Sequence, residues 1–329
     1  MKKKIYIHIG TQKAGSTAIQ SFSSINYDHL LSNGVYYPLI GRYPPFVGKN
    51  DKVFINGDFL REKNYRSRLD KLLLEFRNNH CHTMLLSEEG LSAADPISEY
   101  NFEVYQDIKG FDVKIIVYLR RASEYLASFW QECVRNKILV TDLESFMLTH
   151  EYRESLRKIH ELSKIVGKEN IIVRVFEKDS WLNNNLIDDF LSVLSVTNGN
   201  DFKQLGNDIN TGMSRLKTEK ISYLNRYLNN HKMQNEFDIK DGFLDDDVLS
   251  DRQRVIDSVS DQLIKNVTDK YYPDECEIAK TYLGRDELFI TRYPTVYGTD
   301  RQTYQGLTSE VERALIGYIS QQKPNRRTM

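Results

Sequence analysis

Residues 5–22 read IYIHIGTQKAGSTAIQSF, and this stretch decides the fold. A β-rich apolar run, Ile5–Ile9, ends at Gly10, and four residues separate Gly10 from Gly15, Ser16 and Thr17. The spacing nearly reproduces a Walker-type phosphate loop. The lysine that such a loop needs directly after its second glycine is replaced by Ser16, and Lys13 sits inside the loop instead. A strand, a glycine turn and a helix opening near Ser16 make an anion site. The first N–H groups of a helix have no intrahelical acceptor, and the helix dipole favours negative charge there. Gly10 and Gly15 let the backbone turn tightly against a ligand. Ser16 and Thr17 supply hydroxyls, and Lys13 supplies a mobile ammonium. The bare pattern also fits a plain strand-to-helix turn, with Ser16 or Thr17 as cap and Lys13 in solvent. It fits a nucleotide hydrolase or kinase less well. The lysine is misplaced for β- and γ-phosphates, and no convincing strand ends in Asp to hold Mg²⁺.

Outward from the loop, three further β-rich runs follow at Thr83–Leu86, Val113–Leu119 and Ile171–Phe176, with VYYP at 35–38 as a candidate edge strand. VKIIVYL is almost continuously apolar, as a strand buried on both faces of a parallel sheet must be. Helical patterns separate these runs. Ile19, Phe22 and Leu30 lead to a stop at Gly34. Leu69, Leu72, Leu73 and Phe76 form a stripe, as do Ala122, Tyr125, Leu126, Phe129, Cys133 and Val134. Leu156, Ile159, Leu162, Ile165 and Val166 lead to Gly167. Strands alternating with helices predict an α/β fold, a P-loop-like parallel sheet flanked by helices. From about 185 the pattern is helix after helix (185–195, 212–230, 251–270), so the C-terminal half is mostly helical. The expected organisation is one domain over 1–288, with a sheet core at 1–180 and a helical part at 181–288. A C-terminal extension follows at 289–329, irregular at first and then helical at 308–320. There are no internal repeats and no low-complexity linker. LDDDVLSD (244–251) reads as a solvated helix start rather than a metal site.

Composition sets the limits on partners. In 329 residues, Lys plus Arg (45) nearly balances Asp plus Glu (46), so no global basic field points to nucleic acid, and any anion site is local. Cys81, Cys133 and Cys276 are odd in number and widely spaced, which fits packing thiols in a reducing compartment. The apolar run after the basic triplet of MKKKIYIHIG is too short for a signal peptide, and no stretch approaches the ~18 apolar residues of a membrane span. A cytoplasmic protein is expected, with peripheral membrane contact left open.

The second informative stretch is VYLRRASEYLASFWQECVRNK (117–137). Arg120 emerges at the C-terminal end of the third long strand, where ligands bind in open α/β sheets. Ser128 lies eight residues on, about two helical turns. An arginine there makes paired hydrogen bonds to a phosphate, and the serine supports the same group. Arg121 reads as a surface charge at a helix start.

Together, GTQKAGSTAIQ (10–20) and YLRRASEYLAS (118–128) resemble the 5′-phosphosulfate loop and the 3′-phosphate segment of sulfotransferases that use 3′-phosphoadenosine 5′-phosphosulfate (PAPS). The form is closer to the bacterial and carbohydrate-type members than to the cytosolic small-phenol enzymes. LLSEEGLS (85–92), NTGMS (210–214) and YYPDECEIAKTYLG (271–284) resemble later segments more weakly, and the last forty residues match nothing recognisable. The resemblance implies that Lys13 stabilises charge on the leaving 5′-phosphate of PAPS. It implies that Gly10, Thr11, Gln12, Ala14, Gly15, Ser16 and Thr17 complete the 5′ loop, and that Arg120 and Ser128 hold the 3′-phosphate. The product is 3′-phosphoadenosine 5′-phosphate, and no metal is expected.

Transfer to a hydroxyl or amine needs an aligned acceptor and a base. Glu88 and Glu89, at the end of the second long strand, are the candidates, because carbohydrate and tyrosyl sulfotransferases commonly use a glutamate. Period-two geometry sends only one of the pair into the site, and Glu88 is the first choice. The alternative is that both merely cap the following helix or pair with a structural arginine. His8 reads as a core histidine. His80 and His82, flanking Cys81, lie at the wrong end of their strand and cannot easily share one metal. Phe129 is expected in the core and Trp130 beside the phosphate helix. The loop at 41–59, with Tyr43, Phe46, Lys49 and Asn56, is a candidate acceptor lid. The expected acceptor is a carbohydrate, such as a glycolipid or polysaccharide precursor. A small metabolite or peptide tyrosine is the same-mechanism alternative. An ATP-dependent phosphotransferase and a non-catalytic nucleotide-binding module are the rivals of other classes.

Overall fold

The structure is a computed structural model that describes residues 2–38, 56–92, 99–137, 141–197, 201–205, 213–233, 254–294 and 306–321. Five strands, β1 (Lys4–His8), β2 (Val35–Tyr36), β3 (Thr83–Ser87), β4 (Asp112–Leu119) and β5 (Ile171–Val175), form one parallel sheet in the order β2-β3-β1-β4-β5. The helices are α1 (Ser16–Ile25), α2 (Tyr27–Ser32), α3 (Tyr65–Asn78), α4 (Glu99–Asp107), α5 (Ala122–Arg135), α6 (Leu143–Thr149), α7 (Arg153–Val166), α8 (Leu186–Val193), α9 (Arg215–Asn230), α10 (Asp261–Ile278) and α11 (Ser309–Gln321). This is the expected α/β, P-loop-like sheet flanked by helices, down to the short edge strand at Val35–Tyr36.

Register follows from burial. Ile5 and Ile7 of β1 pair with Met84 and Leu86 on one side and with Val113 and Ile115 on the other. Ile5, Ile7 and Ile115 are wholly buried, so a one-residue slip would invert every side chain between the two faces of the sheet. On one face, Tyr6, Leu85, Ile116 and Tyr118 pack with Ile19 and Phe22 of α1 and Phe190 and Leu191 of α8. Each such aliphatic or aromatic side chain contributes about 1.5–3 kcal/mol by leaving water.

The helix expected to run unbroken to Gly34 divides into α1 and α2 at Asn26. Its side-chain amide donates to the carbonyls of Phe22 and Lys203, and its Oδ1 accepts from the Lys203 N–H. A side chain that bonds the backbone in this way competes with the helix ladder.

The chain forms two compact units. The first comprises 1–121, 152–210 and 271–292; the second comprises 122–151, 211–270 and 293–329, so the division falls within α10. The first contains the sheet. In the second, Trp130 is wholly buried and its Nε1–H donates to the Thr141 carbonyl at 2.9 Å. Arg215 lies over the Trp130 ring and pairs with Glu219 at 2.6 Å. Asp142 and Ser214 cap α6 and α9 by accepting from Ser145 and Lys217 N–H, and Ser214 closes the NTGMS stretch.

Candidate anion-binding site

The sheet order itself makes a crevice. The chain leaves β1 toward β2 on one side and leaves β4 toward β5 on the other, so the connections diverge between the adjacent strands β1 and β4. Ligand sites of open α/β sheets lie at such divergences, outside the C-terminal strand ends. Residues 10–15 follow β1 there, and Arg120 follows β4.

Three residues of the loop have left-handed backbone: Gly10 (φ 63°), Lys13 (φ 65°) and Gly15 (φ 85°). A lysine in that region is held against its intrinsic preference, and such strain concentrates at functional turns. Gly15 is the residue before α1, which begins without a side-chain cap, so its leading N–H groups point out of the helix end. Neither of the two sequence-suggested caps, Ser16 or Thr17, fills that role. A Cβ on Gly15 would lie 2.6 Å from Leu186 Cδ2 and 2.7 Å from Phe176 Cε2, and one on Gly10 would lie 2.6 Å from Ser16 Oγ. Both glycines are favoured by φ, and a side chain at either would also displace its neighbours.

The loop residues divide by role. Thr11 is buried and donates its hydroxyl to the Tyr118 carbonyl at 2.8 Å, which pins the loop to β4. Ala14 belongs to the core. Gln12, Lys13, Gly15 and Thr17 are half-buried. Ser16 is 2% exposed, and its Oγ has no hydrogen-bond partner among the described residues. Buried hydroxyls are usually bonded, so Ser16 Oγ is a group that an anion held at this helix start would satisfy.

Arg120 is brought directly to the loop. Its Nη1 donates to the Lys13 carbonyl at 3.0 Å, and its guanidinium carbon lies 5.4 Å from the centre of the Phe176 ring. The Arg120 carbonyl accepts from the Tyr152 hydroxyl at 2.6 Å. Phe176, just past β5, thus touches both the arginine and Gly15. Ser128 lies in the second unit, half-buried on the second turn of α5.

The two glutamates separate. Glu88 is 3% exposed, its Oε1 accepts from the Gly90 N–H at 2.8 Å, and its Cβ packs against Gly57. Glu89 is half-buried, and its Cβ is 3.1 Å from where a Gly10 Cβ would stand. Glu88 shapes the turn after β3; Glu89 lies beside the loop.

Beneath the loop, His8 is wholly buried. Its Nδ1 lies 2.9 Å from Ser87 Oγ, which also accepts from Gln20 Nε2 at 3.1 Å. Burial pulls the His8 pKa down to about 3, so the ring is neutral. It is a core histidine, as expected from sequence, but one tied to both β3 and α1.

Arg121 overturns its sequence reading as a surface charge. It is 2% exposed, pairs with Glu177 at 2.6 Å, and donates to the carbonyls of Thr291 and Arg292. Its guanidinium lies over Phe289, and the other Glu177 oxygen accepts from the Ile290 N–H. Sequence gives no local signal for this, because the partners are 56 and about 170 residues away. Asn56 is likewise not a lid residue: it is buried, its amide donating to the Leu85 carbonyl and accepting from the Ser87 N–H. It stands in for a strand neighbour where β2 has ended. Tyr43, Phe46 and Lys49, and the stretch 244–251, lie outside the described residues. Phe129, expected in the core, is half-buried and stacks on Tyr125; Trp130 is the core residue. His80 and His82 bond separately, to the Leu31 carbonyl and the Thr83 hydroxyl. A cavity of about 410 Å³ lined by Lys2, Tyr105, Lys109, Asp112 and Asn170 lies at the opposite, N-terminal edge of the sheet.

No protein-family model matches the chain, and no curated protein matches it. Among solved structures it is similar to a sulfotransferase from Alicyclobacillus acidocaldarius, at 14% identity and a TM-score of 0.34, over 71% of this chain and 95% of that one. It is also similar to the sulfotransferase domain of the Synechococcus PCC 7002 olefin synthase, at 13% identity and a TM-score of 0.32, over 60% and 76%. Likeness of this degree decides neither donor nor acceptor.

Proposed function

We propose that the chain is a sulfotransferase that moves a sulfonate from PAPS to a hydroxyl of a carbohydrate acceptor, such as a glycolipid or polysaccharide precursor. The observation that carries this reading is the loop after β1. Three left-handed residues turn it around an uncapped helix start, the buried Ser16 hydroxyl lacks a partner among the described residues, and Arg120 holds the Lys13 carbonyl. The motif resemblance of residues 10–20 and 118–128 supplies the donor.

In the proposed reaction the acceptor oxygen attacks sulfur in line, and the sulfur–oxygen bond to the 5′-phosphate breaks. That phosphate keeps the electron pair. The N–H groups of the helix start and the Ser16 and Thr17 hydroxyls hold the 5′-phosphate, and Lys13 neutralises the charge it gains. Arg120 holds the 3′-phosphate. Glu89 takes the acceptor proton; its half-burial beside Gly10 supports it over Glu88, whose carboxylate bonds its own turn. No helix among the described residues is long and apolar enough to cross a membrane, and a cytoplasmic site of action is part of the proposal.

Calorimetric binding of 3′-phosphoadenosine 5′-phosphate, beside ADP and ATP and without added metal, tests the reading. Clear preference for the 3′-phosphorylated nucleotide is expected. Binding of ATP only with Mg²⁺ would transfer the site to phosphoryl transfer.

A further inference from the structure

The buried polar group under the loop joins three elements. Gln20 is on α1, one turn after Ser16, and residues four apart share a helix face. That face therefore carries the Ser16 hydroxyl against Gly10 and the Gln20 amide against Ser87 at the end of β3. Ser87 Oγ accepts from Gln20 and lies 2.9 Å from His8 Nδ1 on β1. A serine has one proton to give; given to Nδ1, it leaves His8 with its proton on Nε2. In either tautomer His8 Nε2 faces no polar partner among the described residues, and the Tyr118 and Phe190 rings lie steeply inclined to the imidazole, at centroid distances of 6.1 and 5.6 Å. All three side chains are almost wholly enclosed.

The glutamate turn is held by the main chains of two of the same residues, His8 and Ser87. The Glu88 N–H donates to the His8 carbonyl at 3.0 Å, the Ser87 N–H donates to Asn56, and the Gly90 N–H donates to Glu88 Oε1. Buried hydrogen bonds are short-ranged and costly to leave unmade, so a shift of α1 at Gln20 is transmitted to Ser87 rather than absorbed.

We infer that Gln20, Ser87 and His8 are positioning residues that couple occupancy of the residue 10–17 loop to the order of the Glu88–Gly90 turn. The relay sets where the glutamates stand relative to a bound nucleotide. The inference rests on the nucleotide-binding reading above.

Amide hydrogen exchange of the full chain, resolved at Ser16, Thr17 and Gly90 and measured with and without saturating 3′-phosphoadenosine 5′-phosphate, tests it. In the wild type, nucleotide is expected to slow exchange at the loop and, about tenfold, at Gly90. In Gln20→Met, which keeps length and bulk but donates nothing, the loop is still protected and Gly90 is not. Ser87→Ala gives the same result from the other side of the relay, and Ser87→Thr restores the coupling. Circular dichroism confirms that each variant is folded, so Gln20→Met serves if Ser87→Ala is not. Loop protection without Gly90 protection in the wild type, or undiminished coupling in both variants, overturns the relay. No loop protection in the wild type overturns the nucleotide site itself, and the relay with it.

Discussion

The Arg120 guanidinium donates through Nη1 to the main-chain carbonyl of Lys13 at 3.0 Å. The residue expected to read a 3′-phosphate therefore also fixes the backbone that carries the loop lysine. A pure ligand contact would lose affinity on substitution and leave the loop intact. A loop buttress would lose both.

Arg120→Ala is accordingly expected to weaken 3′-phosphoadenosine 5′-phosphate binding by roughly 10- to 100-fold, the worth of about 1.5–3 kcal/mol for hydrogen bonds to a charged group. Arg120→Lys keeps the charge but loses the planar fork, and recovers only part of the affinity. Calorimetry on the two variants gives the result. Wild-type affinity in Arg120→Ala would remove the residue from the donor site.

Gly15 is the most constrained position of the loop. Its φ of 85° disfavours any side chain, and Leu186 and Phe176 occupy the Cβ position. Gly15→Ala should cost about 1–3 kcal/mol of stability from backbone strain and overpacking, read as a fall in the denaturation midpoint. Because a left-handed φ of 85° is strained for alanine, the turn that presents the α1 N-terminus is disturbed, and nucleotide affinity should fall about tenfold as well. Unchanged affinity would mean that the α1 N-terminus is not the phosphate site.

Much of this was legible in the sequence because it is local. The continuously apolar run 113–119 marks a doubly covered strand, and the Gly10–Gly15 spacing marks the turn; both are short-range patterns. The edge strand at Val35–Tyr36 was legible for the same reason. Helix division at Asn26 was not, because its cause is a bond to Lys203, 177 residues away. Arg121 and Arg120 are neighbours in sequence with identical side chains. Only the distant Glu177 and the 289–292 segment distinguish the buried Arg121 from the half-exposed Arg120. The glutamate pair shows the same limit: period two separates Glu88 from Glu89 in a strand, but β3 ends at Ser87 and the rule lapses at the turn that follows.

The two glutamates are separable by kinetics. Glu89→Gln should lower turnover with a carbohydrate hydroxyl acceptor by about 10²- to 10⁴-fold, the usual worth of a general base, with nucleotide affinity nearly unchanged. Glu88→Gln keeps an oxygen for the Gly90 N–H and should cost much less. The opposite ranking, measured side by side, would move the base to Glu88.

His8 gives a pH signature of stability. Its proton affinity corresponds to a pKa of about 3 in the folded chain, because burial penalises the charged ring, against 6.5 when exposed. The unfolded chain binds this proton from about pH 6.5 downward and the folded chain does not. The contribution is therefore intact above pH 6.5 and declines as pH falls toward 3, at about 1.4 kcal/mol per unit. Between pH 6.5 and 5, before most carboxylates titrate, the denaturation midpoint of the wild type should fall more steeply than that of His8→Gln. Parallel slopes would show that the ring is hydrated or charged in the folded state.

The Arg121–Glu177 pair should hold the segment 289–292 in place. Arg121 bonds two of its carbonyls and Glu177 one of its N–H groups, while the Arg292 guanidinium lies 4.0 Å from the Tyr272 ring centre. Removing one partner of a buried ion pair strands the other, so Arg121→Ala is expected to cost about 3 kcal/mol. Arg121→Met, which refills the volume, should cost less if packing over Phe289 matters most. Loss of the pair frees the backbone at Arg292, and trypsin, which needs an unfolded strand of chain to cut, should cleave there about tenfold faster in Glu177→Gln than in the wild type. Equal cleavage rates would show that the segment is held by its apolar contacts, with the ion pair serving only to neutralise two charges that the fold has buried.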